Sequence, residues 1–172
     1  MTQLVLTIVG DDRIGLVQAL AEVVSGHGGN WERSELAELA GTFAGIVLVS
    51  VPDDRAVDLT AALDGLDGLM RVQVHRSATD AAAAASASTP PLRFTVLGND
   101  RPGIVREVSH AVSAHALSID SFASRTLDAP MAGGTLFEAS VVVRMPEGTD
   151  PATVVAALER LASEIQVDLT LA

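Results

Sequence analysis

Residues 4–15 read LVLTIVGDDRIG, and residues 92–103 read LRFTVLGNDRPG. The two stretches align without a gap at an offset of 88, so that Gly10, Asp12, Arg13 and Gly15 return as Gly98, Asp100, Arg101 and Gly103. At the same offset His27 returns as His115. A spacing held across more than one element argues for internal duplication, which governs how the whole chain is read. Each stretch is a short apolar run that ends at glycine and passes into a polar turn, the pattern of a strand leaving a sheet.

Outward from the first stretch, residues 14–25 carry Val17, Leu20, Ala21 and Val24 as a helical row, and Gly26, Gly28 and Gly29 stop it. Residues 31–39 and 43–51 form extended segments around a turn at Gly41. Pro52, Asp53 and Asp54 open a second helix with Val57, Leu59, Leu63 and Leu66 apolar, and residues 70–75 alternate as a closing strand. The second copy repeats the order: strand 92–97, helix 103–114, strands 119–127 and 135–144 around a longer turn at 128–134, helix 151–163 and strand 165–171.

The order βαββαβ, written twice, predicts an α+β chain of two ferredoxin-like domains. Each is a four-stranded antiparallel sheet with two helices on one face. Domain 1 takes residues 1–76 and domain 2 residues 92–172. Between them residues 77–91, SATDAAAAASASTPP, have the composition of a linker. Modules this small bury a modest fraction of their surface, and a bare sheet face and sheet edges call for cover. Pairing of copies, and hence a homo-oligomer, is expected.

Composition narrows the function. The 172 residues carry a net charge of −11, and all 11 basic residues are Arg. Residues 1–80 hold 5 Arg against 12 Asp and Glu, and residues 81–172 hold 6 against 10. Nucleic-acid binding rests on cations facing phosphates, so neither half is a candidate for direct contact with DNA or RNA. Aromatic residues make up 3% of the chain, which leaves an aliphatic core. There is no Cys, which excludes disulfides, thiolate metal sites and Cys nucleophiles. The first residues lack a basic leader, and no apolar run approaches the roughly 20 residues of a membrane span. A cytoplasmic protein without membrane contact is expected.

The polar turn is the candidate site. N–H groups at a helix N-terminus attract anions, a carboxylate among them. Gly15 and Gly103 lack a Cβ and allow close backbone approach, and Pro102 suits a first helical position. Asp11, Asp12 and Asp100 can hold an ammonium group or cap the helix. Asn30, before the second strand, offers a carboxamide, and Ser118 takes its place in the second copy. Backbone donors beside a carboxamide and carboxylates suit a zwitterion, while the same Asx and Gly residues also serve as plain turn chemistry. The four histidines, His27, His75, His110 and His115, include no helix-face metal pair. No zinc-protease, nucleophile-elbow or phosphate-loop motif occurs. Neither a metal nor a cofactor is expected, and an enzyme is not.

With these residues in place, both halves resemble the ACT domain. The segments 10–15 and 98–105 are similar to that family's first loop, and residues 30–36, NWERSEL, to its entry into the second strand. The resemblance implies an amino-acid effector, glycine among the candidates, bound between paired domains near that loop and that strand. The residues it points to are Asp12, Arg13, Ile14, Gly15 and Asn30, then Asp100, Arg101, Pro102, Gly103 and Ser118; Asp11 and Asn99 of the same turns complete the candidate set. It implies a regulatory role through a protein partner, either a transcription regulator or a metabolic enzyme. Two departures stand out: Trp31 replaces an aliphatic residue, and Ser118 replaces Asn.

Overall fold

Alternation builds the first strand. In β1 (Thr2–Asp11), Leu4, Leu6 and Ile8 are buried and their neighbours are less so. The computed structural model describes residues 1–76, 91–128, 134–145, 149, 152–154, 156 and 166–171 of the chain. It divides into two compact units, Met1–Thr79 and Asp80–Ala172. All of the expected linker but Pro91 lies outside the described residues.

In the first unit, β1 leads to α1 (Leu16–Gly26), β2 (Asn30–Leu39), β3 (Thr42–Val51), a short 3-10 turn at Asp53–Arg55, α2 (Ala56–Asp64) and β4 (Arg71–Arg76). The sheet order is β2-β3-β1-β4, with every pairing antiparallel. Leu4, Leu6 and Ile8 of β1 and Val47, Val49 and Val51 of β3 point to one face. There they pack with Leu16, Leu20 and Val24 of α1 and with Ala56, Leu59 and Leu63 of α2. Each such Leu, Ile or Val side chain contributes about 1.5–3 kcal/mol by leaving water. On the opposite face Val9 and Ile46 remain 43% and 49% exposed.

The helical row differs from the expected one. It runs Leu16, Leu20, Val24, because the helix begins at Leu16, and Val17 is exposed. In the second helix Val57 faces outward for the same reason of phase, and Leu59 and Leu63 carry the packing. Pro52 precedes a 3-10 turn rather than the α-helix itself.

The second unit repeats the plan with β5 (Leu92–Asn99), α3 (Ile104–Ala114), β6 (Ser118–Asp128), β7 (Thr135–Arg144) and β8 (Gln166–Leu171). Its order, β6-β7-β5-β8, matches the first. Leu92, Phe94, Val96, Ile104, Val108, Val112, Ala139, Val141 and Val143 form its core. Ala152, Thr153, Val154 and Ala156 are helical, and Val154 joins that core. The rest of the helix expected over 151–163 lies outside the described residues.

Small irregularities recur at the offset of 88. The β2–β3 register shifts between Trp31 and Arg33, and the β6–β7 register shifts between Ile119 and Ser121. Each bulge places an acid beside a donor: Gln3 donates to Glu32 at 3.2 Å, and Arg144 to Asp120 at 2.7 Å. Trp31 is half-buried and packs against the first core, so it fills volume there.

Both helices also end alike, with a residue in the left-handed region after the cap: Gly28 at φ 71° and Ala116 at φ 55°. An L side chain in that region costs about 1–2 kcal/mol. A Cβ on Gly28 would meet Pro52 Cγ at 3.8 Å, an ordinary contact, so only the backbone resists a side chain there. Ala116→Gly should therefore raise the stability of the second unit, and Gly28→Ala lower that of the first, each by about 1 kcal/mol in urea unfolding. A loss of stability in Ala116→Gly would contradict this reading. Leu20→Ala, which empties a fully buried position, should cost about 2–5 kcal/mol in the same measurement.

Candidate functional site

A glycine makes the turn from strand to helix. Gly15 sits at φ 94°, ψ −1° as the residue capping α1, and Gly103 at φ 94°, ψ −4° as that capping α3. This conformation, which L side chains rarely adopt, requires glycine whatever surrounds it. The space in front of Gly15 is also open, since a Cβ there would meet nothing within 4 Å. At Gly103 the Arg106 guanidinium stands 3.6 Å from that point.

No side chain caps either helix. The capping role open to Asp11, Asp12 and Asp100 is therefore not taken. Asp11 ends β1 opposite Thr42. The Asp12 backbone N–H donates to Gly41 O at 2.8 Å, and that of Asp100 donates to Thr135 O at 2.8 Å, which ties each loop to the neighbouring strand pair. Pro102 stands one residue before the capping glycine, not at the first helical position, because the helix starts at Ile104. Ile14 likewise precedes α1, and its side chain is fully exposed at the loop tip.

Asp12, Arg13, Ile14 and Gly15 line a shallow depression of about 280 Å³ together with Gln18 and Phe43. A second depression, of about 360 Å³, lies on the other side of Arg13 and is lined by Asp11, Thr42, Asp67 and Arg71 among others. Gln18, Phe43, Asp67 and Arg71 were not singled out in the sequence. Phe43 reaches the loop because the register sets it opposite Gly10, a pairing that no local motif announces.

Asn30 lies elsewhere. It pairs with Ser50, whereas Asp11 pairs with Thr42 at the other end of the same strand. Eight residues of strand at about 3.3 Å each separate the two by about 26 Å. Ser118, paired with Arg144, is as far from Asn99, paired with Leu136. Within one unit, then, the first loop and the start of the second strand do not meet. Asn30 and Ser118 are both exposed.

The two arginines of the loops differ. Arg13 is 46% exposed and lies 3.7 Å from Asp11, beyond hydrogen-bond distance. Arg101 makes a bidentate pair with Glu107, at 2.8 Å from Nη1 to Oε1 and 2.6 Å from Nη2 to Oε2. That hydrogen bonding holds the Glu107 carboxyl below its ordinary range. The offset of 88 sets Ala19 in the place of Glu107.

Among the described residues no group of three or more His, Asp or Glu could hold a metal ion, and no helix is long and apolar enough to cross a membrane.

Residues 2–77 match the sequence model of the ACT domain. The chain is 26% identical over 168 residues to the glycine cleavage system transcriptional repressor of Escherichia coli (strain K12), covering 94% of this chain and 85% of that protein. An unknown protein from Galdieria sulphuraria superposes with a TM-score of 0.79 at 29% identity, covering 99% of this chain and 98% of the other. A crystal structure provisionally described as a glycine cleavage system transcriptional repressor superposes at 0.72 with 18% identity, over 98% and 96% of the two chains, and supports the fold. Residues 2–77 are thus similar to the ACT domain, the same strand order and helix caps recur in the second unit, and the chain, two ferredoxin-like units in tandem, is similar to that repressor over most of its length.

Proposed function

We propose that this chain is a non-enzymatic regulatory protein. It binds a small effector, an amino acid with glycine foremost, and modulates a protein partner in the transcriptional control of amino-acid metabolism. The observation that carries the reading is the duplicated first loop, whose left-handed glycine opens the start of a helix that no side chain caps. Uncapped N–H groups with an arginine beside them favour a carboxylate. Asp11 and Asp12 stand two and one residues before Arg13 and can take the ammonium end of a zwitterion.

The distance to Asn30 shapes the proposal. An amino acid is far shorter than about 26 Å, the span of eight strand residues. Within one unit it therefore reaches the first loop or Asn30, and not both. Effector binding at the loop favours one state of the protein over another, and that shift is what a partner would read. The similarity to a transcriptional repressor supports this reading. The charge of −11 favours a protein partner over DNA.

A thermal melt of the full chain against each of the twenty amino acids is the direct test. A ligand that binds only the folded state raises the melting temperature. At least one amino acid, with glycine the first candidate, should do so at millimolar concentration; no shift with any of the twenty rules out the effector. For an amino acid that binds, Arg13→Ala should weaken it about tenfold in calorimetry, the effect of one lost hydrogen bond to a charged group. Unchanged affinity would remove Arg13 from the site.

A further inference from the structure

The two loops share their backbone and differ in what their arginine holds. Gly15 and Gly103 superpose in φ and ψ to within a few degrees. Arg13 and Arg101 follow the same Asp and precede the same Gly by the same spacing. In the second unit the guanidinium is spanned by both oxygens of Glu107, a residue of the first turn of α3. A bidentate carboxylate is among the strong partners of a guanidinium, and here it occupies the end-on Nη1–Nη2 edge, one of those an outside carboxylate would use. In the first unit position 19 is Ala, and the carboxylate near Arg13 is that of Asp11, 3.7 Å away and 91% exposed.

We propose that Glu107 acts as an internal carboxylate that closes the first loop of the second unit to a carboxylate ligand, leaving the loop of the first unit as the one that binds. This rests on the effector reading above and deepens it: the chain has one open loop, not two. Glu107 is here a specificity-determining residue that touches Arg101 and not the ligand. The duplication has thus separated the roles of its copies, and Ala19 against Glu107 is the residue pair that does so. A second carboxylate entering at Arg101 would have to displace a partner that never leaves the vicinity.

Two measurements on the full chain test it. The first needs no ligand: phenylglyoxal modification of arginine, followed residue by residue by mass spectrometry. The two side chains are comparably exposed, 46% for Arg13 and 36% for Arg101, so exposure alone predicts similar rates. The ion pair predicts that Arg101 reacts several-fold more slowly, and that Glu107→Ala speeds its reaction. Equal rates in the unaltered protein, or no release in Glu107→Ala, overturn the closure. The second is calorimetry with whichever of the twenty amino acids raises the melting temperature. One molecule should bind per chain, two per chain in Glu107→Ala, and none in Ala19→Glu. Two per chain in the unaltered protein, or one in both it and Glu107→Ala, overturn the assignment of the open loop. If no amino acid binds, the effector reading falls and the assignment with it, while the modification rates still decide whether Glu107 holds Arg101.

Discussion

The structure depends on one backbone conformation, the left-handed turn at Gly15 and Gly103. β1 and β5 are central strands, so the chain leaving them must turn sharply to lay a helix across the sheet. At φ 94° the glycine does this in a single residue, and Leu16 or Ile104, the first of the helix, drops directly into the core. The rows Leu16, Leu20, Val24 and Ile104, Val108, Val112 follow in phase from that start. The same turn leaves the loop ahead of it exposed at the end of the sheet, tied down by the bond from Asp12 to Gly41 or from Asp100 to Thr135. Packing and site therefore share one cause. A residue with a Cβ at either glycine would strain the start of the helix as well as the loop, so substitutions there report on stability before they report on any ligand.

Much of the fold was legible in the sequence because duplication prints the plan twice. The aligned stretches, the β-branched runs of β3 and β7 and the glycines after α1 sufficed for the order of elements. What the sequence left open was phase and register. Val17 and Val57 look like core residues by hydropathy, yet one helix starts two residues later than its apolar pattern does and the other follows a 3-10 turn. The two bulges, at residues 32 and 120, carry acids and no glycine, so no turn signal marks them.

The candidate site was legible at its centre and not at its edges. The loop from Asp11 to Gly15 could be named because its spacing recurs. Phe43 reaches the loop through strand pairing, and Glu107 through a separation of six residues across a helix start, relations that depend on three-dimensional register. The geometry also sets Asn30 and the loop at opposite ends of one sheet, although sequence resemblance groups them.

The central claim is that a small zwitterion lodges at the start of α1. A ¹⁵N-labelled sample of the full chain titrated with glycine, and then with the other amino acids, tests it most directly by amide chemical shifts. The account predicts saturable shifts that are largest at residues 12–18, at the turn and the first helical residues. Saturable shifts centred on another part of the chain, with residues 12–18 unmoved, would contradict it.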